Sequence, residues 1–206
     1  HKFDVNWLID KGNPLFGKVY PNYSTNGSFP KCWSSGAQEH YLIKCGSSGA
    51  YNAGLEPLSE ILFTQIASAL GYKNVVNYFP YEVIYDNLYE YNKPGLLNEV
   101  YPVMKGRLAS ICAAFTDEET SLIPAADLGF TSYEEVLDFA EQVCHNWQEI
   151  PLMLLCDCIG LNVDRHMGNI GFTYNPDTLR IDSVAPMYDN NLALIPYWED
   201  RVELNS

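Results

Sequence analysis

The sequence predicts an α+β fold in two lobes, an antiparallel sheet carrying one helix followed by a mainly helical second lobe. Segments rich in Tyr, Val and Ile and bounded by Asn, Pro and Gly fill the first half of the chain, as strands of a half-buried sheet do. At about Thr116 the composition shifts to T-D-E-E-T, which separates residues 1–115 from residues 116–206. Beyond that point apolar residues recur at helical spacing, and the run from Ile150 to Ile159 has the length of a buried helix. With 206 residues and 47% hydrophobic content, the chain can bury one good core or two small lobes.

Residues 1–23 are aromatic and turn-rich, with Gly12-Asn13-Pro14 and Pro21-Asn22 as breakers, and predict an irregular entry plus a first strand. The segments S-T-N-G-S-F-P-K-C-W, S-S-G-A-Q and E-H-Y-L-I-K-C then read as strand, turn and strand. Lys44 ends the apolar run Tyr41-Leu42-Ile43, and a cation on a buried strand calls for an anionic partner. Pro57 suits the first position of a helix that runs to Leu70 and stops at Gly71. Leu58, Ile61, Leu62, Gln65, Ile66 and Ala69 form its expected inward stripe, and Glu60 falls off that stripe by helical angle. Val75 to Tyr85 and Tyr101 to Phe115 supply the remaining strands, with L-A-S-I-C-A-A-F crossing to the second lobe.

The second lobe is expected to begin helically. Thr131 with Glu134 makes a capping box, and Tyr133, Val136, Leu137, Ala140, Val143, Cys144 and Trp147 follow at helical spacing. The helix opened by Pro151 is apolar nearly all round and is expected to be buried on all sides, with Asp157 as its one carboxylate, bonded to loop backbone. Asn175-Pro176-Asp177 is a turn between two short strands.

The chemistry concentrates after that helix. Asp164 and Asn169 have four residues between them, and a second carboxylate, Asp189, follows the two strands. Phosphoryl transfer needs one carboxylate to orient and deprotonate the acceptor hydroxyl, and an amide oxygen plus a second carboxylate to hold magnesium against the phosphates. Asp164 takes the first role, and Asn169 and Asp189 the second. The D-x-x-x-x-N spacing alone is common, whereas that spacing followed by a hairpin and an aspartate is specific. His145 and His166 have no ligand partners at useful spacing, and His166 reads as a supporting hydrogen-bonding residue. The six cysteines read as reduced core residues, because Cys156-Asp157-Cys158 lacks a second pair to complete a tetrahedral metal set.

The stretch N-V-D-R-H-M-G-N followed by A-P-M-Y-D resembles the signature of HipA-like serine/threonine kinases, and the resemblance covers the chain from about Asn26 to Asp189. It implies a two-lobed protein-kinase-like fold, ATP and Mg2+ as cofactors, a protein substrate with a Ser or Thr acceptor, a cytoplasmic location and an antitoxin-like protein partner. Lys44 matches the lysine that pairs with the nucleotide phosphates and with a helix glutamate. Glu60 matches that glutamate, with Ser59 where the family has asparagine, and Glu56 is the alternative. Gly27-Ser28-Phe29-Pro30-Lys31 resembles the phosphate loop G-x-Q-x-K, with Phe29 in place of the glutamine, and Gly27 would let the backbone approach a phosphate. Ser24, three residues before Gly27, stands where the family carries an autophosphorylated serine. Asn162 and Arg165 match the family's loop, where they shape the backbone or touch the phosphorylated partner.

Two departures keep other readings open. The order Asp-Arg-His also occurs in phosphoinositide kinases, which leaves a lipid or small-molecule kinase as an alternative. Only 17 residues follow Asp189, whereas HipA-like kinases carry several further helices. The chain reads as a truncated or minimal member, and a catalytically silent module binding a nucleotide or partner is the second alternative. Twelve Lys+Arg against 26 Asp+Glu give a formal charge of −14, so a nucleic-acid backbone or an anionic membrane is repelled by the average surface. No stretch approaches the ~20 apolar residues of a membrane span.

Overall fold

The computed structural model describes residues 3–4, 19–20, 31–35, 40–46, 54–84 and 108–194. The expectations placed on Ser24, Gly27, Ser28 and Phe29 lie outside these residues. The chain divides into two compact units, one of His1–Ile61, Asn77–Ala114 and Pro196–Ser206, the other of Leu62–Val76 and Phe115–Ile195.

In the first unit, β1 (Phe3–Asp4), β2 (Val19–Tyr20), β3 (Lys31–Ser35), β4 (His40–Cys45), β5 (Phe79–Ile84) and β6 (Leu108–Ala113) form a sheet in the order β1-β5-β6-β4-β3-β2. Every pairing is antiparallel except the short β1–β5 edge, which is parallel and departs from the expected all-antiparallel sheet. β4 is a central strand between β3 and β6, and its second half is buried, with Lys44 opposite Ser110 on β6. Ile43, Cys45, Tyr81, Ala109, Ile111 and Cys112 make the apolar core around that point.

Helix α1 (Glu56–Ala69) begins one residue before Pro57, still within the first turn, where a missing N–H breaks no helical bond. It closes as the sequence predicts: Gly71 adopts φ 93°, and the N–H groups of Gly71 and Tyr72 donate to the carbonyls of Ser68 and Ala67, each at 3.0 Å. The inward face is not the expected one. Glu56, Ser59, Glu60, Ile61, Phe63, Thr64 and Ala67 are buried, while Leu58, Leu62 and Ile66 are 38–42% exposed and Gln65 and Ala69 are exposed. Glu60 is turned inward because it meets a cation and a hydroxyl there.

After Phe115 the chain opens on a strand, not a helix. β7 (Ser121–Pro124) leads into a 3-10 turn, Ala125–Leu128, that ends at Gly129 with φ 83°. β7 then pairs with β8 (Gly171–Tyr174), and β8 with β9 (Ile181–Val184), in an antiparallel sheet. The β8–β9 turn is held by Asn175, whose Oδ1 accepts from the N–H groups of Asp177 and Thr178 at 3.1 and 2.9 Å.

Helix α2 (Tyr133–Val143) is capped one residue later than expected: Ser132 is the N-cap and Glu135, not Glu134, completes the box. Both spacings fit the motif, and the helix buries Val136 and Ala140. Helix α3 (Glu149–Ile159) buries Ile150, Met153, Cys156 and Asp157 but exposes Leu152, Leu155 and Ile159 by 46–56%. The expectation of burial on all sides is therefore corrected, since only one stripe reaches the core, and Cys158 is exposed where a core thiol was expected. That core joins Phe63, Ala67, Tyr72 and Val75 to Met153, Ile170, Phe172 and Met187.

Candidate active site

The first set of candidate residues lies on β4, α1 and β6. The Lys44 ammonium donates to Glu60 Oε1 at 2.6 Å, and the Ser110 hydroxyl donates to Glu60 Oε2 at 2.8 Å. Lys44 and Glu60 are 5% and 0% exposed, so this is a buried ion pair. The ammonium also lies 5.4 Å from the Tyr78 ring centroid, within cation–π range. Glu60 is thus the helix glutamate that meets Lys44, and Glu56 is buried at the helix start, accepting from the Gly54 N–H at 3.0 Å. Cys112 sits against the same pair. Burial pushes its thiol up to about 12, the Glu60 charge adding to the rise and Lys44 opposing it. Ser110 was not singled out by the sequence; the signal was a lone hydroxyl within an apolar strand.

The second set belongs to the loop after α3. Gly160 closes the helix where an added Cβ would run into the Phe63 ring, and Leu161 adopts φ 51° to turn the chain away. Asn162 then bridges backwards and forwards, its Nδ2 donating to Asp157 Oδ1 at 2.7 Å and its Oδ1 accepting from the Asp164 N–H at 3.3 Å. His166 caps the 3-10 turn Met167–Asn169 by accepting the Gly168 N–H at Nδ1, 3.0 Å away, a structural role that needs an unprotonated Nδ1. Asn169 is 5% exposed and donates from Nδ2 to the Asp164 carbonyl at 2.9 Å, which orients its amide. Among the described residues, the Asp164 carboxylate itself has no hydrogen bond.

Asp189 follows the β8–β9 hairpin with φ 54°, an uncommon conformation for a residue with a side chain. Its neighbour Tyr188 donates from its hydroxyl to the Gly168 carbonyl at 2.9 Å and stacks on Phe115. Burial raises the Tyr188 pKa, with Arg165 opposing and Asp189 and Asp127 adding to the rise, so the phenol stays a donor.

Arg165 ties these pieces together. Its Nε and one terminal nitrogen reach the two oxygens of Asp157 at 2.9 and 3.1 Å, and the other terminal nitrogen donates to the carbonyls of Asn169 and Tyr188 at 2.9 and 2.7 Å. A further bond goes to Asn190 Oδ1. Asp157 therefore holds the side chains of Arg165 and Asn162, beyond the loop-backbone contact expected of it, and Tyr133 adds a bond to the Arg165 carbonyl at 2.6 Å.

Lys44 and Glu60 thus meet in the first unit, and the segments bearing Asp164, Asn169 and Asp189 are joined in the second. The donor set suits magnesium. With Nδ2 of Asn169 committed to Asp164, its Oδ1 is the face of the amide that can meet a cation, and Asp189 supplies a carboxylate; both are hard oxygen donors. Among the described residues no group of three or more His, Cys, Asp and Glu gathers.

No family model and no curated protein matches the sequence. Among solved structures the fold is kinase-like. A matching structure is the Helicobacter pylori proinflammatory kinase CtkA, at TM-score 0.65 and 19% sequence identity, over 100% of this chain and 65% of that chain. At this identity the likeness establishes the fold alone, and the chain spans 65% of the kinase's length.

Proposed function

We propose that the chain is an ATP- and magnesium-dependent kinase that transfers the γ-phosphoryl group to a serine or threonine hydroxyl of a protein. The observation that carries this reading is the loop: Asp164 with an uncommitted carboxylate, Asn169 with its amide oriented, and Asp189 on backbone tied to the same guanidinium as Asn169. The kinase-like fold, shared with the kinase CtkA, supports it.

In this reading Asp164 accepts a hydrogen bond from the acceptor hydroxyl. It takes the proton as the new oxygen–phosphorus bond forms and the bond between the γ-phosphorus and the bridging oxygen breaks, the electron pair leaving with the diphosphate. Lys44, paired with Glu60, offers its ammonium to the phosphates. Magnesium, held by Asn169 and Asp189, would offset the phosphate charge. The formal charge of −14 disfavours an acceptor on an anionic membrane, and no helix among the described residues is long and apolar enough to cross one.

Single-turnover transfer from ATP labelled at the γ-phosphate tests the reading. The expected result is label on serine or threonine of a protein; label on lipid, or nucleotide bound with no transfer to any acceptor, would overturn it.

A further inference from the structure

We infer that Arg165 is the positioning residue of this site: it sets the spacing between Asn169 and Asp189 and takes no part in binding ligand. The inference rests on the kinase reading, because these are the two residues proposed to hold one magnesium ion.

Every N–H of the Arg165 guanidinium has an acceptor within the second unit, in five hydrogen bonds. With the residue 3% exposed, no donor remains for a phosphate or a phosphorylated partner. That removes one of the two roles its place in the loop suggested. Two of the acceptors are the oxygens of Asp157, which neutralise the charge from α3. The other three all adjoin the proposed metal ligands: the carbonyl of Asn169 itself, the carbonyl of Tyr188 before Asp189, and the side chain of Asn190 after it.

Asp189 is therefore flanked by a backbone carbonyl and a side chain that are both held by a group that also grips Asn169. Its left-handed φ is compatible with this arrangement, since fixed contacts on either side hold a conformation uncommon for a residue with a Cβ. The Tyr188 hydroxyl bond to the Gly168 carbonyl makes a second, parallel tie between the same two segments. A lysine at 165 could neutralise Asp157 but lacks the planar fork that reaches all of these acceptors at once.

A purely structural arginine and a positioning one predict different measurements. Magnesium is titrated calorimetrically against the intact chain at fixed ATP, for wild type, Arg165→Lys and Asn190→Ala, with ATP alone in chelator and amide exchange at Asn169 and Asp189 followed beside it. The expected result for Arg165→Lys is a magnesium constant weakened by about 10- to 100-fold, the range for losing an outer-shell partner, with metal-free ATP binding unchanged and exchange faster at both amides. A folded Arg165→Lys that melts earlier yet keeps the wild-type magnesium constant overturns the inference. Asn190→Ala removes one acceptor without stranding a charge, and if Arg165→Lys does not fold, an unchanged constant in Asn190→Ala overturns it equally. Absence of magnesium-dependent ATP binding in wild type overturns the kinase reading and this inference with it, whereas wild-type binding with unaltered variants sinks the inference alone.

Discussion

Two buried cation–carboxylate pairs anchor the candidate residues, and they are built differently. Lys44 meets Glu60 at 2.6 Å in the first unit, and Arg165 meets Asp157 at 2.9 Å in the second. Burying two charges costs about as much as their attraction returns, so neither pair is best understood as a source of stability. What differs is the cation. An ammonium is a compact point charge on a flexible stem and can re-aim toward an arriving phosphate, whereas a guanidinium is a rigid fork whose value lies in matching fixed acceptors. In the proposed reading the lysine pair holds a charge ready for a phosphate, and the arginine pair brackets the segments bearing Asn169 and Asp189. The donor geometry of the cation is what separates the two.

The largest expected effect separates chemistry from both pairs. Asp164→Asn should leave the Lys44 and Arg165 pairs intact, hold ATP–magnesium affinity near wild type by calorimetry, and lower transfer by ~10²–10⁴-fold. An undiminished rate would show that the proton goes elsewhere.

Next come the pairs themselves. Lys44→Met and Arg165→Met each strand a buried carboxylate, at a cost of about 3–5 kcal/mol. The arginine variant should be the worse in urea unfolding, because it also leaves the carbonyls of Asn169 and Tyr188 without a donor, at about 1–3 kcal/mol for each group that water cannot reach. Equal losses would erase the distinction between poised charge and bracket.

A smaller effect is expected at Asp189. Glycine accepts φ 54° without strain, which offsets the interactions lost with the side chain, so Asp189→Gly should shift the melting temperature little while weakening magnesium binding. Unchanged magnesium binding would take Asp189 out of the metal site.

The smallest effect probes the outer edge of the arginine bracket, where α2 presents Tyr133 to the Arg165 carbonyl. The Glu135 carboxyl is held below its usual value of 4.5, first by the Thr131 N–H, then by the Thr131 hydroxyl and the Ser132 N–H. Its contribution is complete above the unfolded value and is lost as pH falls through the lower folded one. Glu135→Gln should therefore lower the melting temperature slightly at neutral pH, and the two curves should converge in acid. A gap that persists in acid would rule out the carboxylate as its source.

Much of this was legible in one dimension. Local signals carried the elements they bear on directly: Gly71 ending α1, Asn175-Pro176-Asp177 turning the hairpin, and the spacing of Asp164, Asn169 and Asp189 on one loop and the strand pair after it. The buried face of α1 was misread because periodicity follows apolarity, and the more apolar stripe, Leu58, Leu62 and Ile66, is the exposed one. Glu60 is inside because Lys44 and Ser110, 16 and 50 residues away in sequence, demand a carboxylate there. β7 was missed because a four-residue strand is specified by the strand it pairs with, far along the chain, more than by its own S-L-I-P.

By itself, then, the sequence determined the α+β content, the order of the chemical groups and the loop that carries them, because turns, caps and short spacings are set by neighbouring residues. Only the tertiary structure decided which glutamate meets Lys44, which register caps α2, and that Arg165 faces inward onto Asp157, Asn169, Tyr188 and Asn190. Each of those choices is settled by satisfying a buried charge or carbonyl whose partner is remote along the chain, and no local pattern records where such a partner will be.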